Sequence, residues 1–194
     1  MSEEFSRSAL VLGDDSMKKL SSSRVIVFGL GGVGGYVVEA LARTGVGHLD
    51  LVDNDEVSLS NLNRQIYALH STVGKDKVDV AADRVLDINP NCVVTKHKIF
   101  YLPETADQIN LSDYDYIVDC IDTVSAKLEL VMRAKEADVP IISSMGTGNK
   151  LDPSKLKTFE QKKAFMDEKD FMRMTEQDPE VWKLIFDVME KANA

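Results

Sequence analysis

The stretch that most limits what this chain can fold into is Arg24-Val-Ile-Val-Phe28 running directly into Gly29-Leu-Gly31-Gly32-Val-Gly34. A short, continuous, β-branched apolar run reads as a strand buried on both faces, as in a parallel sheet. The glycines that follow match G-x-G-x-x-G, placed after a strand and opening a helix. That is the context in which the motif carries meaning. Gly29 permits the tight turn, Gly31 lets the backbone approach a phosphate, and Gly34 allows close helix–strand packing, with Gly32 in the same loop. The unpaired amides at the start of the next helix then favour an anion.

The rest of the chain repeats this alternation. A helix over 36–44 ends at Gly45 and Gly47, and a second strand over 49–52 closes at Asp53. Val78, Ala81, Ala82, Val85 and Ile88 recur at helical spacing, predicting a helix over 75–88 that Asn89-Pro90 stops. Strands follow at 92–95, 114–121 and 140–144, with a helix over 125–137. Strands alternating with helices predict an α/β fold, a Rossmann-like, doubly wound, mostly parallel sheet. Upstream, Asp14 is placed to cap a short helix through Leu20, forming an N-terminal helical arm. Residues 158–194 hold no β-like run and read as two helices near 159–175 and 178–192. The expected division is therefore a nucleotide-binding domain over 1–157 and a helical extension over 158–194.

The chemistry gathers at the ends of the predicted strands. Asp53 lies 19 residues past Gly34, where an acid accepts hydrogen bonds from a ribose. Asp55 follows it. Up to this point a nicotinamide dinucleotide fits as well as ATP. The loop 53–74 separates them, since it carries Asn61 and Arg64, and Lys77 opens the next helix. A dinucleotide's pyrophosphate needs no such cation cluster, whereas a triphosphate about to lose pyrophosphate is stabilised by fixed cations. Arg64 offers a planar fork and Lys77 a point charge. Asp122, at the end of the fourth strand, can hold Mg2+ or cap the next helix, and the two roles are compatible.

Taken together, Gly29-x-Gly31-x-x-Gly34, Asp53-Asn-Asp55, Asn61-x-x-Arg64-Gln65, Lys77 and Asp119-x-x-Asp122 resemble the ThiF/MoeB/HesA group of adenylating enzymes, relatives of ubiquitin-activating enzymes. The resemblance covers about Arg7 to Lys157. It implies ATP and Mg2+ as cofactors, nucleotide contacts from the glycine loop, ribose contacts from Asp53, phosphate contacts from Asn61, Arg64 and Lys77, and magnesium or catalytic duty for Asp122. It also implies a homodimer in which an N-terminal arginine, matched by Arg7, reaches the partner's triphosphate. Ala42-Arg-Thr-Gly-Val-Gly47 and Asn63-Arg-Gln-Ile-Tyr-Ala-Leu-His70 look most like the tRNA threonylcarbamoyladenosine dehydratases. Those enzymes activate the carboxylate of a modified tRNA base, which then cyclises. Activation of a ubiquitin-like sulfur carrier protein is the second reading, and a nucleotide-binding dimer without turnover is the third.

Composition bears on partners and chemistry. A net charge of −9 disfavours general nucleic-acid binding, and residues 158–194 add no basic surface, with six Lys and Arg against nine Asp and Glu. The two cysteines, Cys92 and Cys120, fall in apolar runs, are expected to be structural, and form no zinc-binding pair. His48, His70 and His97 show no ligand spacing. Without an apolar leader or a span near 20 residues, a cytoplasmic protein is expected.

Overall fold

In the computed structural model, which describes residues 3–144, five short strands form one sheet. They are β1 (Arg24–Phe28), β2 (His48–Val52), β3 (Val93–His97), β4 (Tyr116–Asp119) and β5 (Ile141–Ser143). Their order is β3-β2-β1-β4-β5 and every pairing is parallel. The chain builds outward from β1 to β3, then returns to the other side of β1 to lay down β4 and β5. The sheet therefore reverses its winding between β1 and β4, and a crevice opens at the C-terminal ends of those two strands. The architecture is α/β and Rossmann-like, as the alternation predicts.

Among the described residues five α-helices accompany the sheet: α1 (Ser6–Leu12), α2 (Asp14–Ser22), α3 (Gly34–Thr44), α4 (Lys77–Ile88) and α5 (Val124–Glu136). Strand alternation divides the core between the two faces. Val25, Val27, Leu49 and Leu51 pack with Val38 of α3 and with Val78, Ala81 and Val85 of α4. Ile26, Phe28, Val52 and Ile117 pack with Ala126, Leu130 and Ala134 of α5 and with Tyr101 and Leu111 from the connecting loops. Each fully buried Leu, Ile or Phe contributes about 1.5–3 kcal/mol relative to exposure, so these two layers supply most of the stability.

Several boundaries differ from the pattern-based reading. Asp14 is not a cap: Gly13 holds the N-cap position at φ 80°, Asp14 is the first helical residue, and a separate helix, α1, precedes it. α3 starts two residues early, at Gly34, because the glycine turn itself winds into the helix. α4 starts at Lys77 rather than 75, since Lys75 is used in the preceding loop, its carbonyl accepting from Val57. β3 runs on through Lys96 and His97, whose side chains find carboxylate partners in Asp79 and Asp50. β4 is shorter than expected at both ends. Tyr114 is tied into a turn by its bond to the Leu111 carbonyl, and the Asp119 carboxylate accepts from the Ile121 amide, turning the chain out of the sheet. The two C-terminal helices and the boundary expected after residue 157 lie outside the described residues. Among the described residues no helix is long and apolar enough to cross a membrane.

Candidate functional site

The glycine turn is shaped by close backbone approach. Gly29 has φ 85°, and a Cβ on it would lie 2.8 Å from the Cys120 carbonyl oxygen. A Cβ on Gly34 would lie 1.7 Å from the Gly29 carbonyl oxygen, so no other residue fits there. Gly31 differs, because the nearest atom to a Cβ there is Gln65 Nε2 at 3.8 Å. Packing does not demand glycine at that point. The open space above it suits a ligand that touches the backbone.

Asp53 lies one residue past β2 rather than ending it. Its carboxylate is bound to the glycine turn: Oδ2 accepts from the Leu30 amide at 2.6 Å and Oδ1 from the Asp55 amide at 2.8 Å. Burial raises its pKa, and these two bonds only partly offset that. Asp53 thus fixes the loop. Lys77 is buried, with Nζ 2.7 Å from Asp55 Oδ2 and 3.8 Å from Asp53 Oδ1. Its own amide donates to the Asp55 carbonyl, which pins the start of α4 to the same loop.

The segment between β2 and α4 is ordered by local bonds. Asn61 closes a capping box with Ser58, its Oδ1 accepting from the Ser58 amide at 3.0 Å. Arg64 is exposed, and its Nη1 donates to the Ser60 carbonyl and to Asn63 Oδ1, both at 2.9 Å. The Arg64 stem comes within 3.6 Å of where a Gly32 Cβ would stand, so this cation lies against the glycine loop. Lys77 reaches the same loop through Asp53, whose carboxylate holds the Leu30 amide, and Asn61 orders the segment that carries Arg64.

Asp122 stands three residues beyond the end of β4 and is exposed. It does not cap α5, whose N-cap is Thr123, and its carboxylate has no partner among the described residues. No cluster of three or more His, Cys, Asp or Glu suited to a metal occurs among them either. An exposed carboxylate at a strand end, without a partner among the described residues, fits Mg2+, which takes one or two carboxylates and fills its shell with phosphate oxygens and water. Among the described residues nothing adds the further protein ligands of a resident metal centre. Arg7 stands apart from the other predicted residues. Phe5, two residues before it, packs on Gly45 at the C-terminal end of α3, about 16 Å along the helix from the glycine loop. No contact joins Arg7 to this chain's own glycine loop among the described residues.

Two further groups had no assigned role in the sequence reading. Gln65 is buried, its Nε2 faces Gly31, and its Oε1 has no partner among the described residues. Its place beside Arg64 in the motif was the available signal. Lys127 is buried in α5 and binds Asp119 at 2.7 Å. The clue was a lysine three residues from core Leu130, on the inward stripe of its helix. Cys92 and Cys120 are free thiols, and burial pushes both up to about 11. Neither offers an appreciable thiolate near neutral pH.

The match to known proteins follows this geometry. The chain is 44% identical over 167 residues to the tRNA threonylcarbamoyladenosine dehydratase of Bacillus subtilis, covering 86% of this chain and 66% of that one. The solved structure of the Escherichia coli tRNA N6-threonylcarbamoyladenosine dehydratase in complex with ATP superposes with TM-score 0.76 at 35% identity, covering 80% of this chain and 64% of that one. The same enzyme in complex with AMP gives TM-score 0.77 at 36% identity, covering 80% and 63%. The chain thus spans just under two thirds of the length of these relatives. The model of the ThiF family matches residues 5–178, which extends past Lys157, where the motif-based resemblance ended. The chain belongs to the ThiF family.

Proposed function

We propose that this chain binds ATP·Mg2+ and adenylates a carboxylate, and that the carboxylate is that of threonylcarbamoyladenosine in tRNA, which then cyclises with net loss of water. The observation that carries this reading is the placement of Arg64 against the glycine turn and of Lys77 beside Asp53, which holds that turn, with Asp122, unpartnered among the described residues, just past the end of β4. A nicotinamide site has no use for that arrangement. The names and bound nucleotides of the relatives agree with it.

In the proposed reaction the glycine-loop amides hold the phosphates, and Asp53 and Gln65 meet the polar groups near the loop. Asp122 would hold Mg2+, which neutralises phosphate charge. A carboxylate oxygen attacks the α-phosphorus, the bond to the β-phosphate oxygen breaks, and pyrophosphate leaves against Arg64 and Lys77. The neighbouring amide of the same modified base then attacks the activated carbon and AMP departs. Bound geometry makes that second step intramolecular. No enzyme nucleophile is required, in keeping with two thiols held neutral by burial. A homodimer in which Arg7 serves the partner's site is part of the same proposal.

The test is exchange of labelled pyrophosphate into ATP, with threonylcarbamoyl-modified tRNA, with unmodified tRNA, and with a ubiquitin-like sulfur carrier protein. Exchange that depends on the modified tRNA is the expected result. Exchange driven by the carrier protein alone would replace the substrate with the second reading. ATP binding without any exchange would reduce the protein to a binding module.

A further inference from the structure

We infer that Lys127 is a positioning residue for Asp122: a buried cluster of Lys127, Asp119 and Ser143 clamps the turn on which Asp122 stands and so sets how tightly the site holds Mg2+·ATP. This rests on the ATP reading above.

Lys127 lies in the first turn of α5, where the helix dipole disfavours a cation, and it is only 6% exposed. Such a charge needs complete pairing. Nζ has it, with Asp119 Oδ2 at 2.7 Å, the Ser144 carbonyl at 2.9 Å and Ser143 Oγ at 3.3 Å. An ammonium has three N–H groups, and all three are engaged. None remains for a phosphate, so Lys127 acts through its neighbours.

Asp119 passes the constraint on. It is fully buried at the end of β4. Its Oδ2 also accepts from Ser143 Oγ at 2.6 Å, and its Oδ1 accepts from the Ile121 amide at 3.0 Å, one residue before Asp122. The backbone adds two ties, Cys120 N–H to the Phe28 carbonyl at 2.8 Å and Ser144 N–H to the Asp119 carbonyl at 2.9 Å. The Cys120 carbonyl is also the atom that backs Gly29. The turn 119–122 is therefore held from β1, β5 and α5, while Asp122 has no partner of its own among the described residues and, among them, takes its position from that turn. A buried ion pair is a poor source of stability, since apolar groups of the same volume do as well. What this one supplies is a single geometry where the winding of the sheet reverses.

The experiment is calorimetric titration of the full chain with ATP, in excess Mg2+ and in EDTA. The readout is the ratio of the two affinities, which a loss of overall stability does not move. In the wild type, Mg2+ tightens binding, and Asp122→Asn removes most of that gain. Lys127→Met is expected to cut the gain by about tenfold, the usual scale for residues that orient a metal ligand, with EDTA affinity within about twofold of wild type. A folded Lys127→Met with the wild-type ratio overturns the inference. If Lys127→Met does not fold, Ser143→Ala decides, because it removes one hydroxyl without stranding a buried charge. A fall of about threefold in the ratio supports the clamp, and an unchanged ratio overturns it. A wild type that binds no ATP under either condition sinks the site reading and this inference together. A wild type with Mg2+-linked binding and unaffected variants sinks only the inference.

Discussion

Arg64 is held in place before any ligand arrives, by the Ser60 carbonyl and Asn63, with its stem against Gly32. Being exposed, it contributes little to stability. Arg64→Ala should therefore leave the melting temperature within about 1 °C and lower pyrophosphate exchange by about 10²–10³-fold, the scale for deleting one group that stabilises developing charge. Asp122→Asn should match that loss and deepen as Mg2+ is lowered. Exchange within a few-fold of wild type in both variants would refute their roles. Arg64, Lys77 and Asp122 were legible as candidates because type and position coincide: an arginine in the long loop, a lysine opening the next helix and acids just past two strand ends, all following a glycine turn. Their partners were not legible. That Lys77 lies against Asp55, or that Lys127 reaches Asp119, depends on side-chain reach across turns whose ends had been misplaced by one to three residues. Asp122 shows this most clearly, since the fold puts it past the strand end on a turn that Asp119 makes.

At the scale of elements, the α3 start is the most tightly specified joint. Gly34 is the first residue of the helix and lies against the Gly29 carbonyl. Gly34→Ala must push the helix away from the turn, so it should destabilise the fold by about 1–3 kcal/mol and abolish ATP binding by the folded fraction. Chemical denaturation and calorimetry on one preparation check both halves, and retained ATP affinity would show that the cradle does not depend on this contact. The periodic helices and the β-branched strands were read correctly because their signal is local. The 3₁₀ segment Leu59–Asn61 inside the long loop was not, since its Ser58–Asn61 capping box has no apolar repeat to announce it. The separate helix α1 was missed for a related reason: Leu10 and Val11 are exposed there, so the stretch lacks an inward stripe.

Across the whole molecule, Asp50 ties the sheet together away from the crevice. It is 1% exposed, and its carboxylate receives Arg24 from β1, His97 from β3 and Tyr114 from the loop before β4. Burial alone would raise its pKa, but the bonds from His97, Arg24 and Tyr114 outweigh it and bring it to about 2. Because the folded-state value lies below the unfolded one, this stability is present above about pH 4 and is lost as pH falls toward 2, amounting to about 2 kcal/mol. Asp50→Asn should lower the melting temperature at pH 7 and flatten its fall between pH 4 and 2. An unchanged acid limb in that variant would assign acid unfolding to other carboxylates.

The pairing of Lys77 with Asp55 and Asp53 has a consequence for how binding responds to salt. Lys77 does not wait as an open positive charge. On the proposed reading, a phosphate that reaches Lys77 would take the place of a carboxylate already there, so one anion would be exchanged for another and the local charge gained would be small. Asp55 is 60% exposed and feels electrolyte, whereas the Lys77–Asp53 contact is buried on both sides and is screened far less. Nucleotide affinity should then decline only shallowly as ionic strength rises. Rival polyanions, which compete well for unpaired lysines, would be turned away by the carboxylate that guards this one.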